Sequence, residues 1–333
     1  MSIGLKQRAA VVGLLLLLLA AVGASLLIGR QVLTPAHVIR ALVEGGAADP
    51  LGVVRGLRLQ RTAVAVAVGS ALGGAGALMQ ALTRNPLADP GLFGINAGAA
   101  AAVVTGFSFF GISSAIGQMW CALAGATVAA VGVYTIGTRG AAAATPARLA
   151  LAGAAISAVL FSYINAVSLS SQDDFDNLRF WIVGSVVNRG WGPLAAALPF
   201  LAAGTVAALA AAPGLNALAL GDEAGRGLGV HLARTRGLTA VGIVALAGAG
   251  TAVAGPISFV GLVVPHAVRA LVGPDQRLVV PLSMLTASTF LTLADTAGRV
   301  VFSTGEVQAG IVTAVLGGPV FIALVRRRRL VAA

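Results

Sequence analysis

Two clusters of ionisable residues stand out in this chain. Asp222, Glu223, Arg226, His231, Arg234 and Arg236 crowd the segment Leu220 to Arg236, LGDEAGRGLGVHLARTR, and Arg55, Arg58 and Arg61 recur at every third residue ahead of a long apolar run. The chemistry these residues support is ion pairing and partner contact. No GxxxxGK[ST] phosphate loop occurs anywhere in the sequence, so any nucleotide hydrolysis that drives the protein has to come from another chain. Gly225, Gly227 and Gly229 make sense in the first cluster where a backbone must turn or be approached closely. In the second, a spacing of three places the arginines on one face if the segment is helical, as a compact cationic patch. Such a patch suits snorkelling at a membrane interface, attraction to lipid phosphates, or docking of an acidic partner. Two further reactive types have bland readings. His266 has no second ligand at helical spacing and reads as a hydrogen-bonding residue, and Cys121 reads as packing, because a disulfide or metal site needs partners.

The elements that carry these clusters are membrane helices. Of 333 residues, 58% are hydrophobic and 10% charged, and the mean hydropathy of +0.94 exceeds what a water-soluble core requires. Apolar windows recur at Ala9–Ile28, Thr62–Thr83, Leu92–Phe110, Ile116–Ile136, Leu149–Ser170, Trp191–Ala212, Leu238–Ala254, Ile257–Val272, Leu278–Thr296 and Val307–Val325. They predict an all-α polytopic membrane protein of about ten transmembrane helices. The first window is too long for a signal-peptide core, which spans about 7 to 15 residues, and reads as a retained span. Alanine and 44 glycines let such helices approach closely. With an even number of spans both termini share a side. Lys6, Arg8 and the tail Arg326 to Arg329 put that side, and the Leu220–Arg236 segment with it, in the cytoplasm. Arg30, Arg40, Arg55, Arg58 and Arg61 then lie outside, against only Glu44 and Asp49 in the same stretch.

Three local patterns carry further expectations. Between the second and third spans, Met79-Gln80-Ala81-Leu82-Thr83-Arg84-Asn85-Pro86-Leu87-Ala88-Asp89-Pro90-Gly91 holds two prolines four apart. Pro86 keeps Asn85 out of helical geometry, and Asp89-Pro90 reads as a cap and first turn. Gln80 and the nearby asparagines at helix ends suggest a polar-lined passage, since such groups must face protein or water. Gly255-Pro256 ends one short helix, and the next, interrupted by Gly261 and Pro265, is barely long enough to span, a pattern common along transport pathways. Asp295 precedes Arg299 by four, a pair that would orient the arginine.

The stretch RLQRTAVAVAVGSALGGAGALMQALTRNPLADPGLFGINAGA closely resembles the permease subunits of the FecCD family, the membrane components of ABC importers for ferric siderophores, haem and cobalamin. LRFWIVGS at Leu178 to Ser185, LGDEAGRGLGV, GPISFVGLVVPHAVRALVGPDQR at Gly255 to Arg277 and GEVQAGIVTAVLGGPVF at Gly305 to Phe321 continue the match in order. The resemblance implies the type II ABC importer permease fold, with helices two to five and seven to ten as inverted halves, in one permease domain over residues 1–333. It implies a cytoplasmic coupling segment at 214–236 that contacts the ATPase through Asp222, Glu223, Arg226, Leu228 and Gly229. It assigns Arg58, Arg61 and Arg299 to a periplasmic or lipid-anchored solute-binding protein. Met79, Gln80, Asn85, Leu87, Thr145, Leu151 and Phe259 fall to the translocation pathway and its gate. The implied assembly has two cytoplasmic ATPase copies, which bind ATP and Mg, and a second permease subunit, identical or related. This chain itself would bind lipid, with no cofactor, metal or nucleic acid, in a bacterial cytoplasmic membrane.

Two other function classes fit less well. An ion-coupled carrier would hold charge at mid-membrane, whereas the 11 acidic residues fall in loops or near helix ends. A channel or scaffold would not need both an arginine cluster outside and a coupling segment inside. The motif variants MQALTRNPLADPG, LRFW and GEVQAGIVTA look more like ferric-siderophore subunits than haem or cobalamin ones. A weakly polar lumen suits a bulky cargo already selected by a binding protein.

Overall fold

The computed structural model describes residues 4–29, 32–44, 51–138, 146–169, 172–301 and 305–331. Among them the chain is helical throughout, without strands. The elements are α1 (Leu5–Leu27), α2 (Pro35–Glu44), α3 (Leu51–Val53), a π-helical turn (Val54–Arg58), α4 (Leu59–Thr83), a 3-10 turn (Pro90–Phe93), α5 (Ile95–Phe110), α6 (Ala115–Thr138) and α7 (Pro146–Ser168). They continue with α8 (Gln172–Ile182), α9 (Trp191–Ala219), α10 (Asp222–Gly227), α11 (Leu232–Ala254), α12 (Val260–Val272), α13 (Gln276–Gly298) and α14 (Ala309–Val331).

Each of the ten apolar windows is a helix. Seven helices are long and apolar enough to cross a membrane, and the shorter apolar ones are Ile95–Phe110, Val260–Val272 and Ala309–Ala323. The protein is an integral membrane protein. Its helix ends depart from the apolar windows. α9 runs through Pro199 and Pro213 to Ala219, and α11 starts at Leu232, so the polar island contracts to Leu220–His231. The expected coupling segment 214–236 therefore comprises the end of α9, α10, and the first turn of α11. α2 and α8 fall outside the apolar windows because they are short and amphipathic.

α4 is the axis of the bundle, packed against α13, α11, α12 and α9. In its apolar window 78% of residues are buried, against 17% in α1 and α7, which leaves those two to face lipid or another subunit. What lets α4 sit there is a stripe of glycines. A Cβ on Gly69 or Gly73 would run into the backbone of α13 at Ala287 and Ser283, and one on Gly76 would run into the backbone of Gly261 in α12. Backbone contact at this range gains dispersion energy that larger residues would forbid, the usual basis of helix association in lipid. Ser288 adds an interhelical hydrogen bond, its hydroxyl donating to the Val66 carbonyl at 2.8 Å.

Candidate functional site

At one end of the bundle the arginine cluster is drawn inward. Asp295, fully buried on α13, accepts from Arg61 Nε at 2.8 and 2.9 Å and from Arg61 Nη2 at 2.7 Å. It also accepts from Arg299 Nε at 3.1 Å and Nη2 at 2.5 Å. Arg61 reaches on to Glu306 Oε2 at 2.6 Å, and Arg299 donates to the Ser25 carbonyl at 2.8 Å and hydroxyl at 3.0 Å. Arg58 donates to the carbonyls of Leu26 and Leu27 at 2.8 and 2.9 Å. One carboxylate thus joins α13 to α4 and, through Arg299, to α1. The i,i+4 pairing of Asp295 with Arg299 is as the spacing predicts. The compact exposed patch of Arg55, Arg58 and Arg61 is not. Arg55 is exposed, whereas Arg58 and Arg61 turn into the bundle, because the π turn at Val54–Arg58 breaks the register that would align residues three apart.

Arg58, Arg61, Arg299 and Glu306 line a cleft of about 530 Å³ together with Val186, Val187, Asn188 and Arg189. Beneath it lies a backbone junction. Ser185 N donates to Ala254 O at 2.7 Å, and Gly310 N to Gly184 O at 3.1 Å. A Cβ on Gly184 would strike the Pro256 carbonyl, and one on Gly310 the Val183 carbonyl, so glycine is what lets three chain segments meet. On the far side of the junction is a cavity of about 290 Å³ lined by Asn96, Ala100, Phe161, Ile182, Val183, Pro256, Ser258, Phe259, Gly310 and Ala314.

Of the predicted pathway residues, Phe259 lines this cavity. It sits at φ +69°, ahead of α12, and packs edge-on to Phe321 at a centroid distance of 6.5 Å. A bulky residue in the left-handed region costs about 1–3 kcal/mol, which the surrounding packing must offset. Met79 and Gln80 are elsewhere, buried between α4 and its neighbours. Gln80 Nε2 donates to the carbonyls of Gly261 and Leu262 at 3.2 and 3.0 Å, and its Oε1 accepts from Arg269 at 2.6 Å. The reason is Pro265. It has no N–H for the Gly261 carbonyl four residues before it, and Gln80 supplies the missing donor. Leu151 is exposed on α7, and Thr145 lies outside the described residues.

At the opposite end, α4 stops in a Schellman motif. Arg84 takes the left-handed position at φ 51°, and Asn85 N bonds Gln80 O at 3.2 Å. Asn85 Oδ1 accepts from Leu87 N at 3.0 Å, closing the turn toward Asp89. Asp222, at the start of α10, accepts from Arg84 at 2.7 Å and from Arg236 at 2.6 Å. These guanidiniums, Arg236 foremost, hold its carboxyl below the usual range. Glu223, Arg226, Leu228 and Gly229 are exposed. Gly229 has φ +76°, and Gly225 lies against Leu232 and Ala217, so turning and close approach account for both. Nothing in the structure explains Gly227.

Asp89 caps the 3-10 turn, accepting from Gly91 N at 2.8 Å. Burial raises its pKa against the lowering effect of that hydrogen bond. The folded state therefore holds this proton more tightly than the unfolded chain does. The resulting stability is full below the unfolded carboxylate pKa, about 3.9, and is lost as pH rises through the folded one. Asp89→Asn keeps the carbonyl cap, and its melting temperature is expected to gain on wild type as pH rises from about 4 to 7. A gap independent of pH would show that burial does not govern this carboxyl.

A model of the FecCD transport family matches residues 16–327. The chain belongs to the FecCD transport family. It is similar to the ferric enterobactin transport system permease protein FepD of Escherichia coli (strain K12), at 44% identity over 328 residues, 98% of each chain. It is 38% identical over 314 residues, 94% of each chain, to the siderophore transport system permease protein YfiZ of Bacillus subtilis (strain 168). A solved structure described as an inward-facing metal-chelate type ABC transporter covers 96% of this chain and 99% of that one, with a TM-score of 0.83 at 27% identity. As a FecCD-family permease the protein is a transport component of an ABC importer. The match takes in both ends of the bundle, so the Asp295 cluster, the glycine junction and the Asp222 clamp all lie within the family fold.

The sequence reading missed several residues that this geometry brings to the fore in the FecCD-family permease. Glu306 and Arg189 line the cleft, and Phe161 and Ser258 line the cavity beside Asn96, one of the helix-end asparagines expected to face a passage. Glu306, Asn96 and Ser258 stand inside the motifs that carry the resemblance. Arg189 lies in a loop with no pattern of its own.

Proposed function

We propose that this FecCD-family permease carries a ferric siderophore from an external solute-binding protein into the cytoplasm of a bacterium, with the work supplied by two copies of a separate ATPase. The similarity to FepD along nearly the whole of both chains carries the choice of cargo. The basic tail and the positive-inside rule favour cytoplasmic termini, which puts the Asp222 end inside and the Asp295 end outside. Glu223, Arg226, Leu228 and Gly229 then form the exposed contact for the ATPase. Asp222 acts differently: it fastens α10 to α4 and α11 through Arg84 and Arg236. A displacement of α10 thereby reaches α4, whose Gln80 grips α12, and Phe259 immediately ahead of α12 lies beside the cavity. A rigid element tied at several points transmits displacement better than a solvated loop. A second permease subunit would cover the exposed face of α7, where Leu151 lies, and complete the pathway.

The test is uptake into proteoliposomes containing the purified complex, its binding protein and internal ATP, offered a ferric siderophore, haem or cobalamin separately. ATP-dependent accumulation of the ferric siderophore alone is expected. Accumulation of haem or cobalamin in its place would overturn the cargo assignment and leave the permease assignment standing.

A further inference from the structure

The resemblance assigns binding-protein docking to Arg58, Arg61 and Arg299, but in the cleft at the outer end these guanidiniums are already engaged by Asp295, Glu306, Ser25 and the carbonyls of Leu26 and Leu27. Arg58 and Arg299 are 7% and 4% exposed. Arg189 lines the same cleft in a different condition. Its Nε donates to Ser185 O at 2.8 Å and its Nη2 to Ala254 O at 3.3 Å, which leaves the Nη1 edge without a partner among the described residues. No carboxylate among the described residues pairs with it. Burial lowers its pKa to about 10, so it stays charged at neutral pH, and no counter-charge faces it among the described residues. α9 begins two residues later, and the partial positive charge of its N-terminus adds to the local potential. The four arginines of the cleft outnumber Glu306 and Asp295, so the whole cleft attracts an anion.

We propose that Arg189 is the cation that receives an acidic side chain of the solute-binding protein, in a cleft where Arg61 is already held by Asp295 and Glu306. The proposal rests on the reading that the binding protein docks at this end. It makes Arg58, Arg61 and Arg299 the frame of the cleft and Arg189 its vacant contact. The backbone bonds of Arg189 to the Ser185–Ala254 junction place the incoming charge one step from the cavity beside Phe259.

The experiment uses the complete permease–ATPase complex in phosphatidylcholine nanodiscs, titrated with its loaded binding protein at several salt concentrations. The readout is the binding-protein concentration that half-maximally stimulates ATP hydrolysis. Arg189→Gln is expected to raise that concentration at least about tenfold and to flatten its dependence on salt, as loss of a desolvated charge contact does. Arg189→Lys, which keeps the charge but not the forked bonds to Ser185 and Ala254, is expected to stay within about threefold of wild type. A value for Arg189→Gln within twofold of wild type, or equal impairment in Arg189→Lys with the salt slope unchanged, would overturn the proposal and leave docking at this end intact. Absence of stimulation in the wild-type complex would remove the docking reading itself.

Discussion

Replacing Asp295 by alanine is expected to destabilise the protein by about 3–5 kcal/mol, the range for removing one partner of a buried ion pair. Asp295 is fully buried and takes hydrogen bonds from two guanidiniums at 2.5 to 3.1 Å. Its loss leaves Arg61 and Arg299 side by side in low dielectric, with Glu306 as the one remaining acid of the cluster. The damage would spread because α13, α4 and α1 all meet at this carboxylate. Asp295→Asn keeps the shape and one acceptor and is expected to fall between wild type and alanine. Denaturation of the purified protein in detergent, followed by tryptophan fluorescence, checks this. Adding Arg299→Gln to the alanine variant should recover part of the loss, because it removes one of the stranded charges. An alanine variant within about 1 kcal/mol of wild type would mean that water or lipid headgroups solvate the cluster.

That cluster also shows what the sequence could and could not disclose. The pairing of Asp295 with Arg299 was legible because it is local, four residues along one helix. The pairing of Asp295 with Arg61 spans 234 residues and leaves no periodic trace. A spacing of three puts the arginines on one face only in a regular α-helix, and the π turn ahead of α4 removes that condition. The ten apolar helices, seven of them long enough to cross a membrane, were legible because each stands in an apolar window, whereas the ends of α9 and α11 were not, since alanine and threonine near a boundary suit a helix in either phase. Gln80 is the clearest case of a correct premise with a different outcome. A polar residue at membrane depth does require protein or water, and here protein provides it, at a carbonyl that Pro265 cannot serve. Both halves of that bond were visible, but their adjacency depended on how α4 crosses α12.

That crossing carries the second large effect. Gly76→Ala is expected to destabilise the fold by about 3 kcal/mol or more and to abolish transport. A Cβ at this position would overlap the Gly261 carbonyl oxygen, Cα and carbonyl carbon, all backbone, so no rotamer change can relieve the overlap. Overpacking of this kind costs about 1–3 kcal/mol by itself. Pushing α12 away would also take the Gly261 and Leu262 carbonyls out of reach of Gln80 Nε2, and each buried polar group left unpaired costs about 1–3 kcal/mol more. The consequence for transport follows from the same geometry, since Phe259 immediately precedes α12, and a shift of the first turn of α12 moves the wall of the cavity. Gly13→Ala is the matched control, because an added Cβ there meets nothing within 4 Å and the substitution should be neutral or slightly stabilising inside the α1 helix. Thermal melting of both variants in detergent, beside uptake by the same preparations, separates the cases. If Gly76→Ala melts with the wild type, the close contact of α4 with α12 is not what holds this part of the bundle, and Gln80 would have to be sought as the tie that does.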